Sequence, residues 1–222
     1  MKRTDWTDEK NPDDKIGHGT FVCGVISSSK DCLGIVPDAD IYIFKVFTDN
    51  QVSYTSWFLD AFNYAISKKI DVLNLSIGGP DFMDIPFIKK VMEITSNNII
   101  MVSGIGNDGP LYGTLNNPAD QPDVIGVGGI NSDDQIAKFS SRGMTTWELP
   151  HGYGRIKPDI LTYSTHVRGS KKKYGCRTLS GTSVASPLVA GCIALLKSSV
   201  KYTNLDKNLI NPASIKQIIM AR

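Results

Sequence analysis

The sequence has no C-x-x-C pair, no cysteine–histidine cluster at zinc spacing and only three histidines. No metal site is assignable from that set. Charge of one sign is also lacking. Against 24 Lys and Arg stand 22 Asp and Glu, a net charge of +2. That balance gives no reason to expect nucleic acid or an anionic membrane as the partner. The longest apolar stretch, residues 184–196, is too short and too rich in small residues to span a bilayer. The opening Met-Lys-Arg-Thr-Asp-Trp-Thr-Asp-Glu-Lys has no apolar signal-peptide core. Repeats, low-complexity tracts and composition breaks are absent, so a single domain over residues 1–222 is expected, long enough to bury a large core.

What is present is ordinary for a soluble globular protein: 41% hydrophobic and 21% charged residues. Four cysteines stand at positions 23, 32, 176 and 192. Cys23 and Cys192 fall in apolar helical stretches and are expected to be buried as small hydrophobes. Cys32 and Cys176 fall in polar, glycine-flanked segments, where either a disulfide or two free thiols fits. The one basic run, Lys171-Lys172-Lys173, lies between glycines and reads as a solvated loop.

Along the chain, Phe21, Val22, Val25 and Ile26 recur at helical spacing behind His18. Residues 41–47 read as a strand, and Ser53 can cap a helix through about residue 67. A second strand over 70–77 ends in Gly78-Gly79-Pro80. A helix over about 86–96, a buried strand over 99–102 and a shorter strand over 124–127 follow. Strands that are continuous apolar runs alternating with helices predict an α/β fold with a parallel sheet covered on both faces. Residues 183–196 are apolar nearly all round and predict a buried central helix. Pro187 is expected in its first turn. A last helix is predicted from Pro212.

Three short motifs can carry chemistry. In Gly181-Thr182-Ser183-Val184-Ala185-Ser186-Pro187, Ser183 stands at a helix start, where an unpaired N–H and the positive end of the helix dipole favour a developing oxyanion. Simple capping by Thr182 or Ser183 is the competing explanation. In Gly17-His18-Gly19-Thr20, flanking glycines leave the imidazole accessible, and its pKa suits a general base. A structural histidine at a helix start is the alternative. In Ser103-Gly104-Ile105-Gly106-Asn107-Asp108-Gly109-Pro110, a carboxamide follows a strand end and can donate to an oxyanion. Asn107-Asp108-Gly109 is otherwise a turn. Gly104, Gly106 and Gly109 also match the dinucleotide fingerprint, but Pro110 and a helix-poor run follow where that motif requires a helix.

Gly-His-Gly-Thr, Ser-Ile-Gly-Gly-Pro, Gly-Asn-Asp-Gly-Pro and Gly-Thr-Ser-Val-Ala-Ser-Pro occur in this order, and together they resemble the subtilases. The segments 50–64, 107–118 and 139–150 point to a narrower branch that processes membrane-anchored precursors in the Golgi and endoplasmic reticulum. The resemblance covers essentially the whole chain. It implies a three-layer subtilisin-like fold, with a mostly parallel central sheet flanked by helices, and serine endopeptidase activity. Ser183 is then the nucleophile, His18 the base and Asn107 an oxyanion donor. Ser76, Ile77 and Gly78 would pair with an extended substrate, and Gly104 and Gly106 would line the pocket for the residue before the scissile bond. The implied partners are peptides or proteins, among them lumenal segments of membrane-anchored precursors cut after a motif with an upstream arginine. Calcium is common in the family, yet Asp81 and Asp84 form too small a cluster to place it.

One departure stands out. The family carries an aspartate in an Asp-Ser/Thr-Gly context at the end of a strand well before the histidine. Only 17 residues precede His18, and Asp5, Asp8, Asp13 and Asp14 do not have that context. No triad aspartate is assigned, and the fold is expected to lack its N-terminal strand. A relative that binds peptides without cleaving them is the alternative reading.

Overall fold

The computed structural model describes residues 1–146, 151–200 and 210–221. Residues 147–150, which end the third of the family-like segments, lie outside it, as do residues 201–209 and Arg222. Four parallel strands form the central sheet: β3 (Val72–Leu75), β4 (Ile100–Gly104), β5 (Ile125–Ile130) and β8 (Ile160–Tyr163), in the order β3-β4-β5-β8. Val72 is in register with Ile100, Val102 with Ile125, and Val127 with Ile160.

Helix α4 (Thr182–Val200) and α1 (His18–Ser27) cover one face, and α2 (Thr55–Ser67) and α3 (Ile85–Ser96) the other. The period-2 alternation of a strand explains the layering. Ile100, Val102, Ile125 and Val127 pack with Ala185, Val189, Ala190 and Ile193 of α4. Ile99, Met101, Leu73 and Leu75 turn the other way, onto Phe62 of α2 and Val91 and Ile94 of α3. Both faces are apolar, so the strands read as unbroken hydrophobic runs. Each buried side chain of this size is worth roughly 1.5–3 kcal/mol.

The polar start, not expected to be regular, forms β1 (Lys2–Asp5), which pairs in parallel with β2 (Tyr42–Lys45). That pair is not hydrogen-bonded to the main sheet, and β3 has one strand neighbour, β4, among the described residues. Two antiparallel pairs complete the strands: β6 (Gly143–Met144) with β7 (Ile156–Lys157), and β9 (Val167–Ser170) with β10 (Cys176–Leu179). Helix α5 (Pro212–Met220) begins where expected, and the Asn211 side chain accepts from the Ser214 N–H.

Several local expectations are corrected. Ser53 does not cap α2. Its hydroxyl bonds the Val46 carbonyl, and Tyr54 holds the N-cap without a side-chain bond. Pro187 lies beyond the first turn of α4, so the i→i−4 bond to the Ser183 carbonyl is missing. Cys23 is only half-buried and Cys192 is exposed, because α4 turns Cys192, Leu195 and Leu196 away from the sheet. At 19 residues α4 is longer than the apolar stretch suggested. It is long and apolar enough to cross a membrane, yet half of its residues are buried, against the sheet and α1. Cys32 and Cys176 are joined by a disulfide.

Candidate active site

Two helix starts and one strand end meet at the C-terminal edge of the sheet, where open α/β sheets place their crevices. His18 is the first residue of α1. Gly17 before it has φ +87°, a left-handed conformation that glycine adopts without strain. Asp14 ties the loop to the helix. Its Oδ1 accepts from the N–H groups of Ile16 and Gly17, and its Oδ2 accepts from the N–H and hydroxyl of Thr20. Burial pushes the Asp14 carboxyl up, but these bonds outweigh it and hold the group below the usual carboxylate range.

Ser183 is the second residue of α4, where a helix start leaves its N–H without an intrahelical acceptor. Its hydroxyl oxygen lies 3.1 Å from His18 Nε2, across 165 positions of sequence. Burial lowers the His18 pKa below the ordinary histidine value; the Asp14 charge opposes this and the Arg177 charge adds to it. The ring is therefore neutral around pH 7, the state in which Nε2 can accept the serine proton. The other ring nitrogen, Nδ1, has no hydrogen-bond partner among the described residues.

Asn107 follows β4 by three residues. Its Oδ1 accepts the Thr182 N–H at 2.8 Å and lies 3.2 Å from the Thr182 hydroxyl. With the oxygen so engaged, Nδ2 is the atom left to donate. A methyl group at Gly181 would sit 3.3 Å from Ser183 Oγ and 3.5 Å from Asn107 Nδ2, so the bare glycine keeps both atoms open from that side.

A cavity of about 260 Å³ adjoins these atoms. Ser76, Ile77 and Gly78 line it after β3, and Gly104 and Gly106 line it at the end of β4. Asn107 and Ser183 border it too. Seven of the eight residues singled out in the sequence thus share one cavity, and His18 reaches it through Ser183. The Ser76 hydroxyl points to Ser186 of α4 at 2.9 Å, which leaves the backbone of residues 76–78 as what this segment can offer an extended ligand. Its neighbour Gly79 is already paired with Asn117.

Three further lining residues escaped the sequence reading: Asp108, Asn116 and Thr182. Asn116 Nδ2 donates to Asp108 Oδ2 at 2.8 Å, a contact between groups eight residues apart that no local pattern announces. Thr182 was weighed only as a helix cap. Here its hydroxyl accepts the Gly106 N–H at 3.2 Å, and its carbonyl lies 2.9 Å from where a Cβ on Gly104 would stand. Gly104 is therefore required for close packing of the strand end on α4. The next element after Gly109 is the strand β5 and not a helix, so the dinucleotide fingerprint lacks its structural context. Among the described residues no group of three or more His, Cys, Asp or Glu side chains could hold a metal ion.

With fold and geometry in place, the chain belongs to the subtilase family, whose model matches residues 2–222. It is 70% identical over 220 residues, 99% of its length, to the membrane-bound transcription factor site-1 proteases of Homo sapiens and Rattus norvegicus, and it spans 20% of the length of each. It is 36% identical over 197 residues to subtilisin E of Bacillus subtilis, covering 86% of this chain and 48% of that one. Among solved structures, Sphericase superposes with a TM-score of 0.82 over 98% of this chain and 74% of its own, at 22% identity. That likeness is of fold alone.

Proposed function

We propose that the chain carries the reacting groups of a serine endopeptidase, with Ser183 as nucleophile and His18 as general base and acid. The single observation behind this is the 3.1 Å contact between His18 Nε2 and Ser183 Oγ beside a cavity. In the first step Oγ attacks the scissile carbonyl carbon while its proton passes to Nε2. Asn107 Nδ2 and the Ser183 N–H donate to the oxyanion that forms. Collapse of this intermediate expels the amine, which takes the proton from Nε2 and leaves an acyl ester on Ser183. Water, deprotonated by the same imidazole, then hydrolyses the ester. The backbone of residues 76–78 pairs with the substrate as an added strand, and Gly104 and Gly106 flank the side chain before the scissile bond.

The likeness to site-1 proteases extends the proposal to lumenal segments of membrane-anchored precursors, cut in the Golgi or endoplasmic reticulum. A second reading rests on one observation, that Nδ1 of His18 has no hydrogen-bond partner among the described residues. Where no carboxylate orients the imidazole, rates in this chemistry fall by about 10⁴, and the groove binds peptides with little cleavage. A fluorophosphonate probe separates the two. Labelling that disappears in Ser183→Ala supports hydrolysis; a folded protein that binds peptides but takes no label supports the second reading.

A further inference from the structure

The hairpin β9–β10 holds α1 at three points. Before the helix, Arg177 Nη2 donates to the Gly17 carbonyl, and Lys172 Nζ donates to the Lys15 carbonyl at 3.1 Å. Along the helix, β9 packs so closely that a Cβ on Gly24 would meet Ser170 Oγ at 2.2 Å, and one on Gly169 would meet the Phe21 ring at 2.8 Å. After the helix, the disulfide from Cys176 reaches Cys32. The Arg177 guanidinium also lies over the Phe21 ring, 5.7 Å from its centroid.

We infer that Arg177 is a positioning residue for His18, and that the disulfide-anchored hairpin is the brace that lets it act. The Gly17 carbonyl is the last group before the imidazole-bearing residue, and it also accepts the Phe21 N–H as the first bond of α1. Fixing that oxygen fixes where the helix begins, and with it the direction in which the His18 ring points. Misplacement of a reacting group by about 1 Å can lower a rate about 100-fold. A cation near the ring opposes imidazolium formation, so the placement is not explained by stabilising a charged histidine. The charges acting on the ring are Asp14, from the loop before α1, and Arg177, from β10. Gripping a carbonyl while suppressing protonation fits a ring that must be oriented and neutral.

The test compares wild type with Arg177→Met, Arg177→Lys and the double variant Cys32→Ser, Cys176→Ser, all shown to be folded by thermal melting. Histidine NMR follows the His18 titration, assigned by its loss in His18→Gln. This arm is independent of whether Ser183 reacts. The inference predicts that Arg177→Met moves the His18 midpoint upward, since it removes the cation that opposes protonation of the ring. Arg177→Lys should leave the midpoint near wild type, and the disulfide variant should move it part of the way. In fluorophosphonate labelling, which rests on the function proposed above, Arg177→Met should lose about tenfold in rate and Arg177→Lys recover part of it. A folded Arg177→Met protein with an unchanged His18 midpoint overturns the inference, whatever the labelling shows.

Discussion

Asn107 accepts the backbone N–H of Thr182 through Oδ1 at 2.8 Å, and this one bond decides which end of its carboxamide faces the cavity. The residue after Thr182 is Ser183. The same helix start that presents the hydroxyl therefore also aims the amide nitrogen.

Replacing Asn107 by Ala should lower kcat or the probe-labelling rate by about 10²–10³, the size such a donor has in subtilisin, with KM little changed. Asn107→Asp should be at least as damaging, because an ionised carboxylate has no hydrogen to donate. Steady-state or labelling kinetics on the two variants check this.

The His18 shift gives a sign for pH dependence. Its folded pKa lies below the ordinary value, chiefly through burial, so the unfolded chain binds more protons than the folded one just below about pH 6.5. This group's contribution to stability is complete above that pH and declines as pH falls towards the folded pKa. The acid limb of labelling should likewise lie below about pH 6.5. A pH series of urea melts, wild type against His18→Gln, reads the first effect.

Gly106 is at φ +115°, and a Cβ there would stand 2.1 Å from Asn116 Nδ2. Gly106→Ala should push Asn116 from its bond to Asp108 and deform the cavity wall. The expected result is weaker binding of peptide inhibitors with the protein still folded, read by calorimetry and a thermal melt.

Lys157 has a fully buried side chain, bonded to the carbonyls of Gln121 and Val124 and to Asp159 Oδ2 at 2.6 Å. Lys216 of α5 bonds the other Asp159 oxygen at 3.1 Å, so this pair ties the last helix to β8. Burial draws the Lys157 pKa down to about 7, against the pull of Asp159. Lys157→Met should cost about 3–5 kcal/mol, because it removes a partner from a buried carboxylate. Denaturant melts on wild type and variant measure it.

Much of the candidate site was legible because glycines and short polar residues interrupt apolar strands and helices around the shared cavity. Gly17-His18-Gly19 and Gly181-Thr182-Ser183 are such interruptions. The motif order showed that they belong together. The strands after residue 140 were not legible: β6 and β7 have two residues each, and β8 to β10 alternate weakly. Asn116 and Arg177 act through carbonyls and carboxylates far away in sequence or across a turn, so no spacing reveals them. Cys192 was misread because a helix apolar nearly all round was expected to be buried on most sides, and Cys192 lies on the side that is not.

The most direct measurement uses a peptide chloromethyl ketone, whose methylene alkylates an imidazole while its carbonyl carbon bonds a serine oxygen. Such a reagent reacts readily only where the two groups face the same bound peptide. Mass spectrometry of the digested adduct should find a single modification, on the peptide carrying His18, and Ser183→Ala should slow its formation sharply. Alkylation at His151 or His166, or at His18 with no dependence on Ser183, would contradict a shared reaction centre.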